Sequence, residues 1–256
     1  MKKFLFSVLV IPFFLCGEIF SAKDHLPFPL YKETEHFHLF CANEVPVTAD
    51  DLLSNLEGHF AKLSKDFQYE CEGKIPFIVY PNIEAFHDYI QNPKAPNWMV
   101  TCFEGNSIFS VSPKNPGPIH TYQSILRCGM VSLTKFFLKE KYTGFVPNWL
   151  WEGVAFYESH LYSMFYDRSW LFGNEKAGSL PSLDQLERDK IKMENVYLYN
   201  RCSYSLVDFI MEKWGRDKVI ALLEDYSSFE KILGVSKEEL MDQWSIFLDN
   251  KRFPPH

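Results

Sequence analysis

Hydrophobic and polar positions divide the chain into a front part that reads mainly as strands and a back part that reads as helices. HFHLFCA, residues 36–42, alternates with the period of a half-buried strand. Residues 49–67 place Leu52, Leu53, Leu56, Phe60 and Leu63 on one face, which predicts a helix capped by Thr48. KIPFIVYP, residues 74–81, is rich in β-branched and aromatic residues and predicts a strand, followed by a short helix around residues 83–90. Residues 99–113 read as two strands around a Gly105-Asn106 turn. After His120 the pattern is helical, over residues 121–139, 148–166, 194–214, 216–226 and 237–250, with Pro147 and Gly215 as punctuation. Strands first and helices after predict an α+β fold. A small mixed sheet should lean on the helix of residues 121–139, with a helical half behind it.

The first residues do not belong to that pattern. Lys2 and Lys3 precede an apolar run over residues 4–15, and small residues follow at Gly17, Ser21 and Ala22. This is the layout of a secretory signal peptide. It predicts removal of residues 1–22, with cleavage between Gly17 and Lys23, and a periplasmic or extracellular protein. The competing reading is an uncleaved anchor, but the run is short for a span and Glu18 interrupts it. Cys16 lacks the small residues that precede a lipidated cysteine. No later apolar run is long enough to span a membrane.

Composition narrows the classes. The 256 residues are 46% hydrophobic and 17% aromatic, enough to bury a core in one large domain or two small ones. The net charge of −7, without a basic cluster, argues against nucleic acid and anionic membrane surfaces as partners. After signal removal Cys41, Cys71, Cys102, Cys128 and Cys202 remain, with no CxxC among them, so a cysteine zinc site is not expected. One or two disulfides are compatible with export, and their pairing is not readable from the sequence.

PNWLWEGVAFYES, residues 147–159, reads as a helix that sets Glu152 in an aromatic and aliphatic surface. Near a helix start the macrodipole favours an acid, so a core helix is the plain reading. The other is one ligand of a zinc centre. Four stretches in order carry a resemblance: TEHFHLFC, IPFIVYPNIEAFHDY, VPNWLWEGVAFYES, and the tail from SLPSLDQL through YNRCSYSLVDFIMEKWGRDKVIALL to GVSKEELMDQW. Together they resemble the peptidase-MA-like domain proteins of bacteria, which have the gluzincin type of zinc-metallopeptidase fold. The resemblance spans residues 31–250, with a sheet-containing half over 31–140 and a helical half over 146–250.

That resemblance implies a zincin-like fold, Glu152 as the third zinc ligand, and H-E-x-x-H on the preceding helix. Histidines at i and i+4 share one face and bind one metal, and the glutamate between them acts as general base. Zinc is the cofactor expected in active relatives. Here the corresponding helix reads HTYQSILRCGMVSLTKFFLKE, and alignment sets residues 127–131, or a frame within two residues, at the motif. No histidine lies between His120 and His160, and no Asp or Glu from Gly105 through Lys139. Both histidine ligands and the base are therefore missing in every nearby register, and neither a catalytic residue nor a resident metal is expected. A partly buried Glu152 without metal costs free energy unless a cation replaces the ion. Arg127, at the first histidine position, is the candidate bidentate partner, and the alternative is an Arg127 that reaches solvent from an ordinary helix.

In the family the cleft receives extended peptide; Trp149 and Trp151 are candidates to line it, and Tyr197, Tyr199 and Tyr204 lie where relatives place a tyrosine over it, with core packing as the default reading of these tyrosines. His120 reads as a loop or capping residue, His36 and His38 as an exposed strand face with weak metal binding as the alternative, His160 as two turns beyond Glu152 on the same helix, and Cys128 as core or disulfide. No G-x-S-x-G elbow or P-loop is present. The leading expectation is an exported, catalytically inactive metallopeptidase-like protein that binds a peptide or protein. The alternatives are an active zinc hydrolase with other ligands and a structural envelope protein.

Overall fold

The computed structural model describes residues 26–42, 46–162, 171, 173–174, 178, 180–188 and 195–250. The expected signal peptide lies outside these residues. The chain is α+β as its pattern predicts. Its front part runs β1 (Leu30–Glu33), β2 (Phe37–Cys41), α1 (Pro46–Phe67), β3 (Ile75–Tyr80), α2 (Ile83–Tyr89), β4 (Thr101–Glu104) and β5 (Ser107–Val111). The helical part follows as α3 (Tyr122–Lys141), α4 (Asn148–Glu158), α5 (Leu183–Glu187), α6 (Val196–Trp214), α7 (Arg216–Glu224), a 3-10 turn (Tyr226–Ser228), α8 (Phe229–Leu233) and α9 (Lys237–Asn250).

The sheet is mixed, in the order β1-β2-β3-β5-β4. β2, β3 and β5 are parallel, joined by crossovers through α1 and α2, and the two edge strands run antiparallel to their neighbours. Central parallel strands are covered on both faces, and β3 and β5 are accordingly buried almost throughout. Phe77 and Val79 meet Leu52 and Leu56 of α1 and Leu133 and Phe137 of α3 in the main core. Ile78 and Tyr80 point the other way, to Ile83 and Phe86 of α2. Gly129 lets α3 lie close on this layer: a Cβ there would stand 3.4 Å from Phe77 and 3.5 Å from Leu52.

Local chemistry accounts for several ends. The β4–β5 hairpin turns through Gly105 in the left-handed region, at φ 55°, as its Gly-Asn sequence predicts. Thr121 caps α3 in a reciprocal box with Ser124. α1 begins at Pro46 instead of after Thr48, because proline suits a first helical turn whose N–H groups are unpaired anyway. The helix predicted over 148–166 stops at Glu158, where Ser159 caps it and His160 turns left-handed at φ 51°; residues 163–166 lie outside the described residues. β1, α5 and α8 have no counterpart in the sequence pattern. β1 is exposed throughout and is defined by its pairing to β2, not by alternation.

Cys41, Cys71, Cys102, Cys128 and Cys202 are all free thiols. Among the described residues no helix is long and apolar enough to cross a membrane.

Candidate functional site

α4 is the centre of the helical part, packed between α3 and α6. Pro147 starts it, and Trp149, Leu150, Val154, Ala155 and Phe156 are buried around it. Gly153 allows α6 to approach: a Cβ at this position would fall 2.3 Å from the Ser203 carbonyl oxygen. Trp149 is fully buried and donates its indole N–H to Tyr226 Oη at 3.2 Å. The Tyr226 hydroxyl in turn donates to the Glu187 carboxylate, which Lys237 neutralises at 2.7 Å. Trp149 is thus an anchor inside the helical part, not the cleft lining expected from the sequence.

Glu152 is 15% exposed and pairs with the Lys135 ammonium of α3, itself 21% exposed. The Lys135 Nζ also lies 5.8 Å from the Phe156 ring centroid, one turn along α4. The expected pair with Arg127 is not formed, and Arg127 is exposed. The reason is rotational. Cys128, Val131, Ser132 and Lys135 recur at the spacing of one helix face, and Arg127 is turned about 100° away from Cys128. Val131 packs with Ala155 and Phe156, so this face of α3 meets the Glu152 face of α4.

The remaining positions close the junction. Ser132 is buried, and its hydroxyl lies 2.5 Å from Thr101 Oγ1, tying α3 to the edge strand β4. Cys128 is buried and burial pushes its thiol up to about 12, so it is neither a thiolate nucleophile nor a ready metal ligand at neutral pH. Tyr204 is buried in the same small cluster as Val131, Ala155 and Phe156, and Tyr162 packs 5.7 Å from it. It therefore reaches the junction, but from within. Tyr199 does not: it is fully buried in the main core. α6 is enclosed on nearly every side, so a tyrosine on it is core unless it lies near an end, as Tyr197 does.

Three histidines singled out by the sequence each take a partner of their own. His36 stacks on Phe60 and bonds Glu57 at 2.6 Å, His38 lies 3.3 Å from Glu33, and His120 bonds Ser124 beside the α3 cap. Among the described residues no group of three or more His, Cys, Asp or Glu side chains is placed to hold a metal. The residues at the α3–α4 junction do not fit a zinc ion: Val131 has no lone pair to offer, and Lys135 brings a positive charge.

A second acid on α4 escaped the sequence pattern. Glu158 has a fully buried side chain, bonded to Arg216 Nη1 of α7 at 2.5 Å and to Lys62 Nζ of α1. Asp66 completes the cluster, 3.0 Å from Lys62 and 3.4 Å from Arg216. An acid in a helix that is apolar on all sides was the available signal. Neither cation nor spacing pointed to its partners, which come from helices far apart in the chain.

His59 lies one turn before Lys62 and is buried, with Nε2 2.7 Å from Thr134 Oγ1. Thr134 donates its own hydroxyl to the Met130 carbonyl, so the imidazole must carry the proton on Nε2 and be neutral on Nδ1. Burial, with the nearby charge of Lys62 adding to it, pushes its pKa down to about 3. Between pH 6.5 and 3 the unfolded chain therefore binds a proton that the folded chain refuses, and stability rises with pH across that window. The contribution is complete above about pH 6.5 and falls as the pH drops toward 3, by roughly 3–5 kcal/mol in all. Denaturation followed from about pH 7 to about pH 4 should show this loss, and His59→Gln, which keeps a donor for Thr134, should flatten it. An unchanged slope in His59→Gln would mean that other groups set the acid sensitivity.

No protein-family model matches the chain, and no curated protein matches it.

Proposed function

We propose that the protein is exported and has a metallopeptidase-like fold without its metal chemistry, and that it works by holding an extended polypeptide segment beside the α3–α4 junction. The observation that carries this reading is the pairing of Glu152 with an ammonium, on a facing helix that lacks both histidines and the base. A carboxylate neutralised within the fold has no need of zinc, and the facing stretch of α3 offers no general base. The polypeptide part rests on β4. It is an edge strand, among the described residues no strand pairs with its outer side, and Thr101 joins it to α3. An extended segment laid along such an edge gains main-chain hydrogen bonds without chemistry.

The test is made on protein secreted by its own signal, whose mature N-terminus should fall between residues 17 and 23. Elemental analysis should find no stoichiometric zinc, a general peptidase assay should be negative with and without added zinc, and an extended-peptide library should yield binders. About one zinc per chain with proteolysis abolished by Glu152→Ala would replace this reading with that of an active hydrolase.

A further inference from the structure

We infer that Lys135 is a built-in counter-ion standing where a divalent cation would face Glu152, and that Val131-Ser132-Leu133-Thr134-Lys135 is the stretch of α3 in metal-binding register. This deepens the reading above and rests on the same junction. Three placements carry it. The Lys135 ammonium bonds the Glu152 carboxylate and lies over the Phe156 ring. Val131, one turn earlier, packs on Ala155 and Phe156, one turn beyond Glu152. The two helices therefore run past each other in opposite senses, with positions 131 and 135 both aimed at one side of α4. Arg127, the candidate from sequence alignment, is exposed instead.

The i and i+4 spacing that zinc needs is met at 131 and 135, but the side chains there invert its purpose. An aliphatic group replaces one donor and a cation replaces the other. Ser132, between them, is buried and held by Thr101, so its hydroxyl is used to join α3 to the sheet. A tethered ammonium neutralises Glu152 in the folded chain whatever the metal supply. It also repels a divalent cation from the same point. The position is closed to metal by charge.

Val131→His combined with Lys135→His should create two imidazole donors facing Glu152, a three-ligand set. This double variant should bind about one zinc per chain by elemental analysis, gain melting temperature when zinc is added, and lose both on further Glu152→Ala. Arg127→His combined with Val131→His, the register suggested by the sequence, should bind none. Stoichiometric zinc in the unaltered protein, equal binding by the 127/131 variant, or a folded 131/135 variant without zinc would each overturn the inference.

Should the histidine variants fail to fold, the pair itself can be tested. Lys135→Met and Glu152→Met should each lower the melting temperature by roughly 5–10 °C, and the double variant should recover most of the loss. Single variants that melt with the unaltered protein would remove Lys135 from the role. No peptide enters these measurements, so their failure is separate from failure of the peptide-binding proposal.

Discussion

Gly153→Ala is expected to leave the protein without a stable fold at ordinary temperatures. A Cβ on Gly153 would lie 2.3 Å from the Ser203 carbonyl oxygen, 2.8 Å from the Ser203 carbonyl carbon and 2.7 Å from Val207 Cγ2. Two of these atoms are backbone, so no side-chain rotamer relieves the contact. α4 would have to move away from α6 by about 1 Å, and the interface between them is among the most closely packed in the protein. Overpacking in a core usually costs about 1–3 kcal/mol, and a clash with helical backbone puts this case at about 4 kcal/mol or more. The intrinsic preference of a helix for alanine over glycine runs the other way, at about 1 kcal/mol. Gly58 provides the contrast. It is exposed on α1, a Cβ added to it would meet no atom within 4 Å, and Gly58→Ala should stabilise by up to about 1 kcal/mol. Urea unfolding of the two variants should therefore move in opposite directions. A Gly153→Ala variant as stable as the unaltered protein would mean that α4 and α6 are not in contact at this residue.

Glu158→Ala should be the most damaging loss of a single charge, at about 3 kcal/mol. The Glu158 side chain is 0% exposed, while its partners Lys62 and Arg216 are 36% and 29% exposed. Removing the carboxylate strands two cations around one remaining acid, Asp66, although both can turn partly to water. That partial escape keeps the cost at the lower end of the range for breaking a buried pair, about 3–5 kcal/mol. Because Glu158 binds α1 and α7 at once, the loss should appear as lower cooperativity as well as a lower midpoint. Raising the salt concentration should not hide it, since screening acts on exposed charges far more than on buried ones. Asp66→Asn, at the open end of the same cluster, should cost less than about 1 kcal/mol. Equal losses for the two variants would show that burial of Glu158 has little influence on its contribution.

The sequence by itself determined the class of fold and the absence of the zinc motif. Periodicity is a local property: the apolar faces of α1, α3 and α6, the dense strand β3 and the Gly105-Asn106 turn are each written in consecutive residues. The lack of histidine and acid along α3 is equally local, and it holds in any register. Short elements fared worse. LYKE of β1 carries no pattern of its own, and becomes a strand only because β2 offers an edge.

The partner of Glu152 was a tertiary decision. Which residue of α3 faces α4 depends on how far α3 is rotated about its axis, and one position of error turns a side chain by about 100°. That rotation is set by Gly129 and Leu133 against the sheet and α1, residues with no sequence relation to Glu152. It brought Lys135 to the carboxylate and left Arg127 in solvent. The same holds for the aromatic residues. Trp149 and Tyr199 look alike in sequence whether they line a cleft or fill a core, and only the helices packed around α4 and α6 put both inside. Charge and chemistry were legible in the chain because each residue carries its own. Which charges meet was not, because that depends on the orientation of whole helices.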